Sequence, residues 1–166
     1  GHQLITWTSS TSGTAVNGTT STLSSTTAPS HSKFIISTSS PYDWLSTQES
    51  DGSLWWNGSS VGANNPCPTG YHVPTYTELN TEYAIINSNG NDADAAYSLF
   101  KFPLSGYRER EKGGISNQGT CGYCWSSTIN SNDVRVVNTL YFTNSLARMN
   151  VDFRAHGFPV RCIKDE

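Results

Sequence analysis

No stretch of this sequence reaches the roughly 18 apolar residues that a membrane-spanning helix needs, so nothing in its 166 residues reads as a membrane span. Charge is scarce as well. Asp, Glu, Lys and Arg supply 14% of the chain, against roughly 25% in an ordinary soluble domain, so its surface chemistry must come largely from hydroxyls, amides and aromatic rings. The ten Lys and Arg form no basic run and the net charge is −3. The densest basic stretch, Arg108 and Arg110, is interrupted by Glu109 and Glu111. A phosphate backbone finds no electrostatic footprint here, and nucleic acid is excluded as the expected partner.

Catalytic and metal signatures are missing too. Ser126 and Ser127 have no His and Asp in a recognisable arrangement, and the alternating Arg-Glu-Arg-Glu run reads as a surface ion-pair ladder. His72 and His156 are far apart and lack metal-ligand spacing. Taken alone, Cys121-x-x-Cys124 admits a redox pair or half of a zinc site, with a local disulfide or free thiols ranked first. The expectation is a chain that is not an enzyme and carries no cofactor or metal. Its opening residues, "GHQLITW", have no signal-like order, which leaves export open.

Gly, Ser, Thr and Asn are abundant instead, a composition that favours loops and short strands. The length fits one domain. Residues 1–40 are Ser/Thr-rich, either a linker or added β structure, with "KFIIS" at 33–37 as the best strand in it. Residues 41–166 read as the main domain. Trp44, Trp55 and Trp56 lie close together there, as core aromatics do. Thr75 with Glu78 three residues on predicts a helix start, and Leu79, Tyr83 and Ile86 return on one face before Asn89-Gly90 ends it. Asp92 and Asp94 open a second short helix to residue 100. Strands are expected at "FPLSGYRER" and "CGYCWSST", and a further antiparallel pair is expected from the alternations Val134/Val136 and Leu140/Phe142. From Gly157 the alternation of Phe158, Val160 and Cys162 predicts a final buried strand. Strands, two helices, then more strands make the fold class α+β.

The spaced runs "NPCPTGYHVPTYTEL", "FPLSGYRE", "GYCWSST", "LYF" and "FRAHGFPVRCIKD" resemble the major paralogous domain of Fibrobacter succinogenes, a C-type-lectin-like fold, in order across residues 64–166. The ending "RAHGFPVR" is also similar to the last strand of the variable proteins of diversity-generating retroelements. In those systems reverse transcription that misreads adenine rewrites chosen codons, most often Asn codons. Rewriting the adenines of AAC or AAT never yields Lys, Glu, Gln, Met or Trp, and from Asn130 to Gly157 only Met149 belongs to that set.

The resemblance implies a ligand-binding display protein with a diversified face at about 133–156: Asp133, Arg135, Val137, Thr139, Tyr141, Thr143, Arg148, Val151, Asp152, Phe153 and His156. Between them Leu140, Phe142, Met149, Arg154, Ala155 and Gly157 would form the fixed frame. It also implies a bridge between Cys67 and Cys162, joining the helix region to the last strand. The partner would be a varied protein or cell-surface ligand, with the chain on a cell surface, secreted or on a virion. A fixed surface or adhesin module is the alternative. A formylglycine-generating-type enzyme shares the broad fold, but its cysteine motif does not match "CGYC". The Glu-Pro-Asn, Gln-Pro-Asp and Trp-Asn-Asp triplets of calcium-dependent lectins are absent.

Overall fold

The computed structural model describes residues 18–48 and 52–165. Residues 1–17, which hold much of the Ser/Thr-rich segment, lie outside them. Among the described residues the order is β1 (Thr19–Thr20), β2 (Phe34–Ile35), β3 (Tyr71–His72), α1 (Tyr76–Ser88), α2 (Ala93–Phe100), β4 (Tyr107–Arg108), β5 (Ile115–Ser116), β6 (Cys121–Ile129), β7 (Val136–Thr143), β8 (Leu146–Phe153) and β9 (Ile163–Lys164). The chain is α+β, with two helices and short, mostly antiparallel strands. No described helix is long and apolar enough to cross a membrane.

Local chemistry fixes both helix starts. Thr75 Oγ1 accepts from the Glu78 amide at 3.3 Å, and the Glu78 carboxylate accepts from the Thr75 amide at 2.8 Å, so two otherwise orphaned donors are satisfied reciprocally. Asp92 accepts from the Ala95 amide at 2.9 Å. α1 turns Leu79 and Ile86 inward, and α2 adds Ala93, Ala95 and Ala96, whose small side chains let it approach closely. These residues pack on Cys124, Leu140, Phe142 and Ala147 of the sheet β6-β7-β8, together with Phe102.

Three expected strands come out differently. Val136, Leu140 and Phe142 all belong to β7, while Val134 sits in a turn held by Asn130 Oδ1, which accepts from the amides of Asn132 and Asp133. The partner strand is β8. In "FPLSGYRER" only Tyr107 and Arg108 are strand, because Pro103 lacks an amide and Gly106 adopts φ +64°; a Cβ there would lie 2.2 Å from Ser116 O. The final buried strand is a correction as well. Only Ile163 and Lys164 pair, with β3. Residues 158–162 run beside β6 through one main-chain bond, from the Trp125 amide to Pro159 O at 3.2 Å. Pro159 has no amide to return one, and Val160 is exposed.

Residues 18–40 lie against this body. β1 and β2 pair in parallel, and Phe34 and Ile35 are buried. The buried Arg108 guanidinium holds the junction. It stacks 4.2 Å from the Phe34 ring centroid and donates to Gly113 O at 2.7 Å and Gly18 O at 3.4 Å. Arg108 also exchanges main-chain bonds with Gly157.

The chain's end is tied down twice. Cys67 and Cys162 form the expected disulfide, with Cα atoms 5.7 Å apart. Beside it the buried His72 ring lies between Asp165 Oδ1, 2.6 Å from Nδ1, and Glu78 Oε1, 3.1 Å from Nε2, and stacks on Trp56.

Candidate functional site

Strand alternation gives the sheet two unlike faces. Leu140 and Phe142 point at the helices. Tyr141 and its cross-strand partners Tyr123 and Arg148 therefore share the outer face, with Thr139, Trp125 and Asn150 in the next row and Val137 and Asp152 beyond. Over this face the loop after β8 lays His156 and Phe158, and β4 brings Tyr107.

The rings interlock. Tyr123 stacks on Phe158 at 4.3 Å between centroids, and Trp125 lies 4.5 Å from the same ring. Tyr107 meets Tyr123, His156 and Phe158 edge-on at 5.2, 5.3 and 5.5 Å. Tyr141 tilts against Tyr123 at 5.0 Å, and the Arg148 guanidinium lies 5.3 Å above Tyr141. Phe158 and Trp125 are buried, whereas Tyr107, Tyr123, Tyr141 and His156 are half-exposed. The result is an aromatic platform braced from below, with little rotamer freedom left to lose on binding.

Its polar groups are tuned by burial. Desolvation raises the Asp152 carboxyl above the ordinary range, partly offset by hydrogen bonds from Thr139 Oγ1 at 3.1 Å and Asn150 Nδ2 at 2.9 Å. Desolvation also raises the phenols of Tyr107 and Tyr123, reinforced by nearby acidic groups, so both stay neutral. Burial pushes the His156 imidazole down; Glu111 opposes that shift and Arg110 adds to it. Its Nδ1 accepts from the Arg110 amide at 3.4 Å.

The expected contact residues divide accordingly. Tyr141, Arg148, Asp152 and His156 come together on the platform, and Thr143 lies at its hairpin rim, where its hydroxyl accepts from the Ser145 and Leu146 amides. Thr139 is fully buried and Val137 is 9% exposed, so these two lie beneath the face and offer no contact surface. Asp133 and Arg135 pair with each other at 2.7 Å in the turn before β7. The Arg135 hydrogen bonds hold the exposed Asp133 carboxyl down to about 2. Val151 and Phe153 alternate to the opposite side of β8. Val151 is exposed there, while Phe153 packs 4.6 Å from Tyr42, with the Arg110 guanidinium over both rings.

Sequence reasoning missed Tyr107, Tyr123 and Phe158, which lie outside 133–156. The available signal was the period-two spacing of Cys121, Tyr123 and Trp125 on a strand whose Gly122 and Cys124 face the helices. That same period overturns the local disulfide. Cys121 and Cys124 are three residues apart on an extended strand, so their side chains leave opposite faces, and both are buried free thiols. Burial raises both, Cys124 to about 12, so neither forms a ready nucleophile. Among the described residues no set of His, Cys, Asp and Glu is arranged to hold a metal ion.

Next to the platform, Trp44, Trp55 and Trp125 with Ile129 and Val137 wall a cavity of about 60 Å³. Arg154 closes one side and pairs with the fully buried Asp43 at 3.4 Å. The arrangement offers ring faces, phenol hydroxyls, a guanidinium and a carboxylate on a stiff support. That is the equipment of recognition. No family model, curated protein or solved structure matches the chain.

Proposed function

We propose that this chain is a ligand-binding display protein of C-type-lectin-like fold. Its contact surface is the outer face of β6-β7-β8, and that face is rewritten by retroelement mutagenesis to engage varied protein or cell-surface ligands. The observation that carries the reading is the aromatic platform: half-exposed Tyr107, Tyr123 and His156 packed on buried Phe158, with Tyr141 against Tyr123 and Arg148 and Asp152 beside them. Aromatic and Arg side chains are the residues that anchor protein interfaces. The Cys67–Cys162 disulfide supports an oxidising compartment, as on a cell surface, in secretion or on a virion. The protein binds without turnover; its two free thiols are buried and face opposite sides of one strand.

Deep sequencing of the 3′ end of this gene and the adjoining DNA, from a natural population of its source, tests the reading. The expected result is substitution at adenines in the codons of Tyr141, Thr143, Arg148, Asp152 and His156, sparing Leu140, Phe142 and Ala147, with a near-identical template repeat nearby. A uniform sequence without a template would leave a fixed surface or adhesin module.

A further inference from the structure

The outer edge of β8 is unguarded. The Ala147 amide turns away from β7 to reach Asn91 Oδ1 at 3.3 Å, so by alternation the amides and carbonyls of Met149 and Val151 point outward as well. Among the described residues no hydrogen bond reaches them on that side. The flanking groups are occupied: Ala147 by Asn91, and the Phe153 carbonyl by the His156 amide at 3.1 Å. β8 contains no Pro or Lys, and its register with β7 is unbroken. Pro, Lys and a bulge, three of the devices that keep a sheet edge from pairing, are thus absent from β8, and its two charges, Arg148 and Asp152, are of opposite sign.

We propose that this edge pairs with the same edge of a second copy of the chain, antiparallel, about a two-fold axis through Asn150. Three independent features select that partner and that register. With Asn150 opposite its own counterpart, Met149 faces Val151 of the second copy and Val151 faces its Met149, and each is a bonded pair, so four main-chain hydrogen bonds form. Arg148 then lies opposite Asp152 of the second copy, and symmetry repeats the pairing. Opposite charges at directly facing positions favour a sheet. On the helix side, the exposed Val151 comes against the half-buried Met149 across the seam. A slip of two residues loses the charge match, setting Arg148 against Asn150 in one direction and Arg154 in the other.

The product is a six-stranded sheet with both aromatic platforms on the same side, a bivalent surface. The seam is short, so association is concentration-dependent. Pairing along this edge does not depend on ligand binding by the platform. Where diversification rewrites positions 148 and 152, the main-chain bonds remain and the charge preference changes with the residues.

Sedimentation velocity over a rising concentration series tests it, with circular dichroism to check folding. Wild type is expected to shift from monomer toward dimer. Val151→Pro removes an amide that is spare in the monomer, and it should stay monomeric with an unchanged spectrum. Arg148→Asp and Asp152→Arg should each stay monomeric alone and associate when mixed in equal amounts, because each seam position again sets a cation against an anion. If Asp152→Arg does not fold, Val151→Pro and Arg148→Asp decide the matter. Wild type that remains monomeric at its highest soluble concentration overturns the proposal. So does a dimer that persists in folded Val151→Pro, or a mixture of folded charge variants that fails to associate. None of these results bears on whether the platform binds a ligand.

Discussion

One sheet, β6-β7-β8, presents two surfaces of opposite character. The inner one is small and aliphatic apart from Phe142: Cys124, Leu140 and Ala147 meet Leu79, Ile86 and the alanines of α2, and the Arg161–Glu82 pair borders the cluster, with the guanidinium 4.9 Å from the Phe102 ring centroid. The outer one is aromatic and polar, with Tyr123, Tyr141, Arg148 and Asp152 on a layer of Trp125, Val137 and Phe158. The backbone is common to both, so the difference lies in the side chains alone. The inner face supplies dry burial that folds the chain, and the outer face keeps its rings half in water, where a partner can reach them.

The largest expected break in that contrast comes from Phe142→Ala, which should cost about 3–5 kcal/mol in urea unfolding. Gly122→Ala should cost a comparable amount, since a Cβ there would stand 2.1 Å from the Phe142 ring. Tyr141→Ala, one position from Phe142 on the opposite face, should cost only about 1 kcal/mol, mainly the lost contact with Tyr123. Equal losses at Phe142 and Tyr141 would erase the distinction. Thr139→Val keeps the volume but removes the bond to Asp152, and should cost about 1 kcal/mol. Arg148→Ala should change stability by less than about 0.5 kcal/mol while weakening any ligand held over Tyr141.

pH acts on the outer face through His156 and Asp152, whereas the inner face of the sheet carries only Cys124, with the Glu82 carboxyl of α1, raised by burial, beside it. His156 has a folded pKa below its ordinary 6.5, so its contribution to stability is complete above 6.5. That contribution is lost as pH falls through the folded value, because the unfolded chain takes up the proton first. Asp152 has the opposite sign. Its folded pKa lies above 3.8, so its contribution is complete below 3.8 and is lost as pH rises through the folded value. Denaturation midpoints across pH should therefore show a smaller decline below 6.5 in His156→Gln, and a smaller decline above 3.8 in Asp152→Asn, than in the wild type.

How much of this could be read beforehand depended on range. Thr75 with Glu78, and Asp92, signalled their helices because a cap is a contact within three residues. β6 and β7 were readable where apolar residues alternate, at Cys124 and at Leu140 and Phe142. β8 was not, because one side of it carries Arg148, Asn150 and Asp152. The final strand was misread for a related reason: Phe158, Val160 and Cys162 alternate, but Pro159 interrupts the ladder and only Ile163 and Lys164 pair. For the candidate site, residues 133–156 fall on β7, β8 and the loop after it, but the sequence could not separate Tyr141 from Thr139, since burial beneath Asp152 is a cross-strand property. Tyr107 reaches the platform only through the bridge between Arg108 and Gly157, a contact that no local pattern encodes.

The central claim, that one face folds the chain and the other is free to vary, is tested most directly by two libraries. One randomises Tyr141, Thr143, Arg148 and His156, the other Leu140, Phe142 and Ala147, and each is sorted for folded protein on a display surface and sequenced. The account predicts that the first set returns folded clones with nearly all residue types, and that the second returns almost only the native residues and close apolar substitutes. Equal restriction in both libraries would contradict it.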